Sequence, residues 1–265
     1  MDNRPIGVFD SGLGGLTVVK AMKKLLPNES ILYFGDTARL PYGVKSKKLI
    51  IEYSNQIAKF LIEKNAKMII VACNTATAMA LEKLKFNFKD TPIIGVIEPG
   101  SIQASLDSIN KKIGVIGTAA TIKSGAYEHA LKAIDNDINV FSKDCPLFVP
   151  FVEEGMVKGE AINLIVEHYL SSFKNNIDTM ILGCTHYPLL EPVIKKYVKG
   201  IKLVDSASAV ARHVDKTLND YKINNVNEKR GSLDCFVTDL PRQFEKLGRI
   251  FLGESINEPQ LVDGF

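Results

Sequence analysis

Two cysteines stand in near-copies of one local pattern. Lys67-Met68-Ile69-Ile70-Val71-Ala72-Cys73-Asn74-Thr75 is echoed 111 positions later by Asp178-Thr179-Met180-Ile181-Leu182-Gly183-Cys184-Thr185-His186. In each, a short apolar run ends on a thiol followed by small hydroxyl, amide or imidazole side chains. With an ordinary pKa of about 8.5, a thiol can be reached both protonated and ionised near neutrality. A single cysteine at a strand end is ordinarily core filling. Two at matched ends, each with polar followers, point instead to proton transfer. One thiolate could take a proton from one face of a carbon while one thiol supplies a proton to the other face.

The neighbouring residues extend that chemistry. His186 can serve as acid or base beside Cys184, and Asp10 beside Cys73. A thiol at a strand-to-helix turn also meets the positive end of the following helix, which favours its ionised form. Asp10-Ser11-Gly12-Leu13-Gly14-Gly15 follows one strand and precedes a helix, a turn able to aim backbone N–H groups at an anion. The dinucleotide spacing G-x-G-x-x-G fails, because Thr17 stands where the third glycine belongs. Asp10 is a poor neighbour for phosphate and a good one for an ammonium group. Zinc at Cys73, Cys184 and His186 would require an awkward Cys-x-His chelate, with no C-x₂-C unit to help, so no metal is expected. His129, His168 and His213 fall within helical patterns, and Cys145 and Cys235 in apolar surroundings, as structural residues do. Glu153-Glu154 reads as the acidic start of a helix, and Tyr42 in Leu40-Pro41-Tyr42-Gly43 either packs its ring or lines a cleft mouth.

Positioning these residues calls for alternating strands and helices. Ile6–Phe9, Ser30–Phe34, Met68–Ala72, Ile93–Val96, Ile113–Ile116, Ile138–Phe141, Thr179–Leu182 and Lys202–Val204 are short apolar or β-branched runs. Between them lie amphipathic stretches at Thr17–Leu26, Lys48–Asn65, Ile102–Asn110, Lys123–Ile134, Lys158–Phe173 and Leu189–Val198. Such alternation predicts parallel βαβ units. Ile6–Ser11 matches Ile113–Thr118 at an offset of 107, and Ile31–Phe34 falls on Ile138–Phe141 at the same offset. Together with the cysteine echo, these matches predict an α/β protein of two pseudo-symmetric lobes. Each lobe is an open, mostly parallel sheet flanked by helices, and the active site lies in the cleft between them. The first lobe comprises residues 1–97 and a returning segment 205–265, and the second, beginning near Glu98-Pro99-Gly100, residues 98–204. The last segment holds a strand at Ser232–Thr238 and a closing helix capped by Asp239, with Pro241 in its first turn.

The bulk properties narrow the function classes. With 265 residues, 46% hydrophobic and 24% charged, the composition is that of an ordinary globular protein. The net charge of +3 forms no basic block of the kind nucleic acid requires. No apolar stretch reaches the ~18 residues of a membrane span. Four widely spaced cysteines predict reduced thiols in the cytoplasm rather than a disulfide framework.

Taken together, Phe9-Asp10-Ser11-Gly12-Leu13-Gly14-Gly15, Asp36, Pro41-Tyr42-Gly43, Ala72-Cys73-Asn74-Thr75-Ala76 and Gly183-Cys184-Thr185-His186-Tyr187-Pro188 resemble the glutamate racemases of the aspartate/glutamate racemase superfamily over essentially the whole chain. The resemblance implies a cytoplasmic enzyme without cofactor, commonly a homodimer, that interconverts L- and D-glutamate and supplies D-glutamate for peptidoglycan. It implies catalytic roles for Cys73 and Cys184, assisted by Asp10, His186 and Glu153 or its neighbour Glu154. It further implies substrate contacts from Asp10, Ser11, Pro41, Tyr42, Gly43, Asn74, Thr75, Thr118, Thr121 and Thr185. A racemase acting on aspartate or a hydantoin is the nearest alternative. A two-lobed binding protein that closes on an amino acid without reacting is another, although it would have no use for matched thiols.

Overall fold

The computed structural model describes residues 1–174, 176–227, 229–239 and 244–265. Among the described residues there are ten strands: β1 (Ile6–Asp10), β2 (Ile31–Gly35), β3 (Met68–Val71), β4 (Ile93–Gly95), β5 (Lys112–Gly117), β6 (Asn139–Asp144), β7 (Thr179–Gly183), β8 (Lys202–Asp205), β9 (Leu233–Val237) and β10 (Gln260–Leu261). Every residue of β1, β2, β3 and β7 is buried, which explains their mostly apolar character, broken only at the strand ends by Asp10 and Thr179: helices cover both faces of a parallel sheet.

The strands form two sheets, ordered β10-β9-β2-β1-β3-β4 and β6-β5-β7-β8, with every pairing among the described residues parallel. The order β2-β1-β3-β4 thus recurs as β6-β5-β7-β8, so the two halves share one winding. β9 pairs with β2, extending the first sheet with residues from the end of the chain. The helix Ser206–Tyr221, capped by the Asp205 carboxylate accepting from Ser208 N at 2.9 Å, packs on the helix Leu16–Leu25. Before β3, Lys67 forms a buried 2.6 Å ion pair with Glu29 and donates to the Asp2 and Ile223 carbonyls.

Three local expectations are corrected. The helical stretch Ile102–Asn110 begins and ends earlier, as the helix Ile97–Asp107, with Glu98-Pro99-Gly100 in its first turns, where proline removes an N–H that has no intrahelical partner. The stretch Lys123–Ile134 is two helices, Ala119–Lys123 and Ala126–Ile134, broken at Gly125, whose φ of +67° suits glycine. Glu153 ends a short helix, Phe148–Glu153, rather than starting one, because the apolar segment before it is itself helical and buries Phe148 and Val152. Pro241 lies outside the described residues, and the closing helix is described as Phe244–Leu252.

Candidate active site

The central strands of both sheets deliver the polar residues. β1 ends on Asp10, β3 runs into Cys73, β5 into Thr118 and β7 into Cys184. Parallel strands place ligands beyond their carboxyl ends, and here two such sets of ends border one pocket. Its walls include Ser11, Gly12, Pro41, Tyr42, Gly43, Cys73, Asn74 and Thr75 from the first half of the chain, and Thr118, Glu153, Cys184, Thr185 and His186 from the second. The cavity measures about 40 Å³, room for no more than a few waters.

The two thiols have different surroundings. Cys73 caps the helix Asn74–Asn87, its sulfur accepting from Ala76 N at 3.5 Å, and its S–H donates to Ser11 Oγ at 3.8 Å. Burial and the negative field of Asp10 push its pKa up to about 12, so it stands as a thiol despite the helix N-terminus. The expectation that the helix would lower its pKa fails here because desolvation is the larger effect. Cys184 is followed by a 3₁₀ turn, Tyr187–Leu190, and its polar partner is His186, whose Nδ1 lies 3.8 Å from the sulfur.

His186 Nε2 sits 3.2 Å from Glu153 Oε1, which singles out Glu153 over the exposed Glu154. Burial opposes a charge on the imidazole, but hydrogen bonds to Cys184 and Glu153 and the fields of Cys184 and Asp10 outweigh it, lifting the pKa to about 10. The imidazolium is therefore a counter-charge held beside one sulfur. Asp10 is fully buried, and burial raises its pKa. Its carboxylate accepts from Gly12 N at 3.1 Å and Thr185 Oγ1 at 3.4 Å.

Hydroxyls close the cleft from both halves. Thr75 Oγ1 lies 3.0 Å from Thr118 Oγ1 and 3.2 Å from Thr121 Oγ1, and the last two are 3.0 Å apart, making a triangle across the cleft. Tyr42 is buried, and its hydroxyl donates to the buried Asp36 carboxylate, which also accepts from Arg39 and Thr238. Tyr42 therefore both packs its ring and lines the pocket.

Of the residues anticipated from sequence, Asp10 and Thr121 are the two that lie behind the pocket wall, one hydrogen bond away through Thr185 and Thr75. Sequence reasoning did not anticipate Leu40 and Val149 in the wall, or Phe251, whose ring meets His186 edge-on at 5.1 Å. Apolar side chains carry no chemical signature, so only their neighbours Pro41 and Glu153 could have flagged the first two. Among the described residues, no group of three His, Cys, Asp or Glu side chains is arranged to hold a metal ion.

A family model for Asp/Glu/hydantoin racemases matches residues 6–214. The chain belongs to that racemase family. Within it, the protein is 51% identical over 257 residues to the glutamate racemase of Aquifex aeolicus, covering 97% of each chain. The glutamate racemase of Francisella tularensis, solved in complex with D-glutamate, superposes with a TM-score of 0.93 at 42% identity, over 99% of this chain and 98% of that one. The aspartate racemase of Picrophilus torridus shares the fold at a TM-score of 0.60 and 20% identity, over 84% of this chain and all of that one.

Proposed function

We propose that the protein is a glutamate racemase that interconverts L- and D-glutamate with two thiols and no cofactor. The observation that carries this reading is that Cys73 and Cys184, from matched strand ends, border one pocket, in a chain half of whose residues match a glutamate racemase. The identity to glutamate racemases, far above that to the aspartate enzyme, favours glutamate among the family's substrates. Supply of D-glutamate for peptidoglycan, in the cytoplasm and as a homodimer, belongs to the same proposal. So do the lobe boundaries, residues 1–97 with 205–265 and residues 98–204.

Removing the Cα proton is the difficult step, because that hydrogen is far less acidic than a thiol. A thiolate on one face takes the proton, the electron pair spreads into the α-carboxylate, and the thiol on the other face protonates Cα. The thiols finish with exchanged protonation states and exchange them again on the return. Donors from Ser11, Asn74, Thr75 and Thr185 around the α-carboxylate would stabilise the developing charge in a pocket that excludes bulk water. His186, held by Glu153, would balance a thiolate at Cys184, while Asp10, behind the wall, would hold Thr185 by its hydrogen bond and set a negative field favourable to the substrate ammonium.

Incubation of either enantiomer in deuterated water tests the reading. Deuterium should enter Cα, and circular dichroism should decay to zero from both sides. Cys73→Ser and Cys184→Ser should each lower kcat by at least about 1,000-fold with the thermal transition retained. Full activity in either variant removes that thiol from the mechanism, and bound glutamate without exchange removes the racemase reading.

A further inference from the structure

The helix Ala126–Ile134 contributes a side chain that is not part of the pocket wall yet reaches a wall residue from across the cleft. Tyr127 is buried, its ring lying over Gly183, where a Cβ would stand 3.0 Å from Cε2. Its hydroxyl donates to Asn74 Oδ1 at 2.6 Å and lies 3.1 Å from Ser206 Oγ, itself 3.3 Å from the Leu182 carbonyl. Asn74 lines the pocket, and with Oδ1 engaged its remaining polar group is Nδ2. That nitrogen is buried and has no hydrogen-bond partner among the described residues. A buried donor without an acceptor is costly unless a ligand supplies one.

We infer that Tyr127, steadied by Ser206, is a positioning residue whose hydroxyl fixes the Asn74 amide so that Nδ2, not Oδ1, is offered to the substrate carboxylate. The two ends of a side-chain amide have nearly the same shape, so only hydrogen bonding decides which one faces the ligand. Turned the other way, Oδ1 would set lone pairs against a carboxylate. The Ser206 hydroxyl has one proton for two acceptors, the phenol oxygen at 3.1 Å and the Leu182 carbonyl at 3.3 Å; directed to the phenol, it leaves the Tyr127 O–H for Oδ1, and burial pushes the phenol's pKa up, so it keeps its proton. The contact joins the two halves of the chain, so the orientation of the amide depends on residues from both.

The inference rests on reading the pocket as the substrate site of a glutamate racemase, and its test separates the two. Wild-type, Y127F, N74A and Y127F/N74A proteins are compared by steady-state racemisation of L- and D-glutamate, followed by circular dichroism. Y127F should lower kcat/KM about 10-fold, mostly in kcat, because the donor matters most as charge develops on the carboxylate. In the N74A background the same substitution should change kcat/KM by less than about 2-fold, since the group it acts through is gone. Wild-type kinetics in Y127F, or an equal loss in both backgrounds, overturns the positioning role while leaving the racemase reading intact. An inactive wild-type protein overturns both.

Discussion

Burial works against a positive charge on His186, and the bonds to Cys184 and Glu153, with the fields of Cys184 and Asp10, reverse that effect and carry the pKa to about 10. The native value lies above that of an unfolded histidine, near 6.5. The stability this cation contributes is therefore complete below about pH 6.5 and disappears as pH rises through about 10. If the imidazolium balances a thiolate at Cys184, kcat/KM should fall on the alkaline side as that proton is lost. Glu153→Gln removes one of the interactions that raise the pKa, so the alkaline limb should move to lower pH. A pH–rate profile for wild type and E153Q checks this, and superimposable limbs would detach His186 from the rate. His186 was legible in the sequence as a chemistry-bearing residue, and Glu153 only through the family resemblance, with Glu154 beside it as the alternative. Their 3.2 Å contact was not, because it joins elements 33 residues apart.

Among the elements, the central strands were readable because four of them are wholly buried and so are apolar except at their ends. Helix starts were harder: the stretch read as helical from Ile102 begins at Ile97, because Pro99 fits a first turn that the apolar periodicity does not mark. Contacts across the cleft left no local trace at all. Thr75 with Thr118 and Thr121, and Tyr127 with Asn74, are pairs whose members carry no pattern until the fold brings them together. The turn after β1 shows how closely these elements fit. A Cβ on Gly14 would stand 2.6 Å from the His186 ring, so the turn and the loop after β7 can approach only because position 14 is glycine. Gly14→Ala should force them apart and lower kcat/KM by about 100-fold, the scale of a 1 Å misplacement. Stability measured by urea unfolding should fall far less. Normal turnover in G14A would show that this approach is not required.

For the molecule as a whole, the Lys67–Glu29 pair ties together the start of β3, the segment before β2 and the chain near Ile223. Its charges are buried, so removing one partner leaves the other unpaired in a poor solvent for ions. Lys67→Ala should cost about 3–5 kcal/mol in chemical denaturation, whereas K67M/E29L should cost much less or nothing. Equal losses in both would mean that packing, not charge, sets the cost. This knot lies at the amino ends of the strands, away from the pocket, so surviving folded enzyme should keep its substrate affinity.

The unequal surroundings of the two sulfurs carry a thermodynamic consequence. Mirror-image substrates have the same free energy in water, so a racemase can never favour one at equilibrium, however lopsided its site. The Haldane relation then requires kcat/KM to be equal in the two directions. A thiol beside Ser11 on one side and a sulfur beside an imidazolium on the other can show themselves only in kcat and KM taken separately: an enantiomer with the lower KM must be turned over more slowly, in strict proportion. The asymmetry of the site is thus confined to how long each form of the enzyme waits, and the ratio of the two KM values measures it.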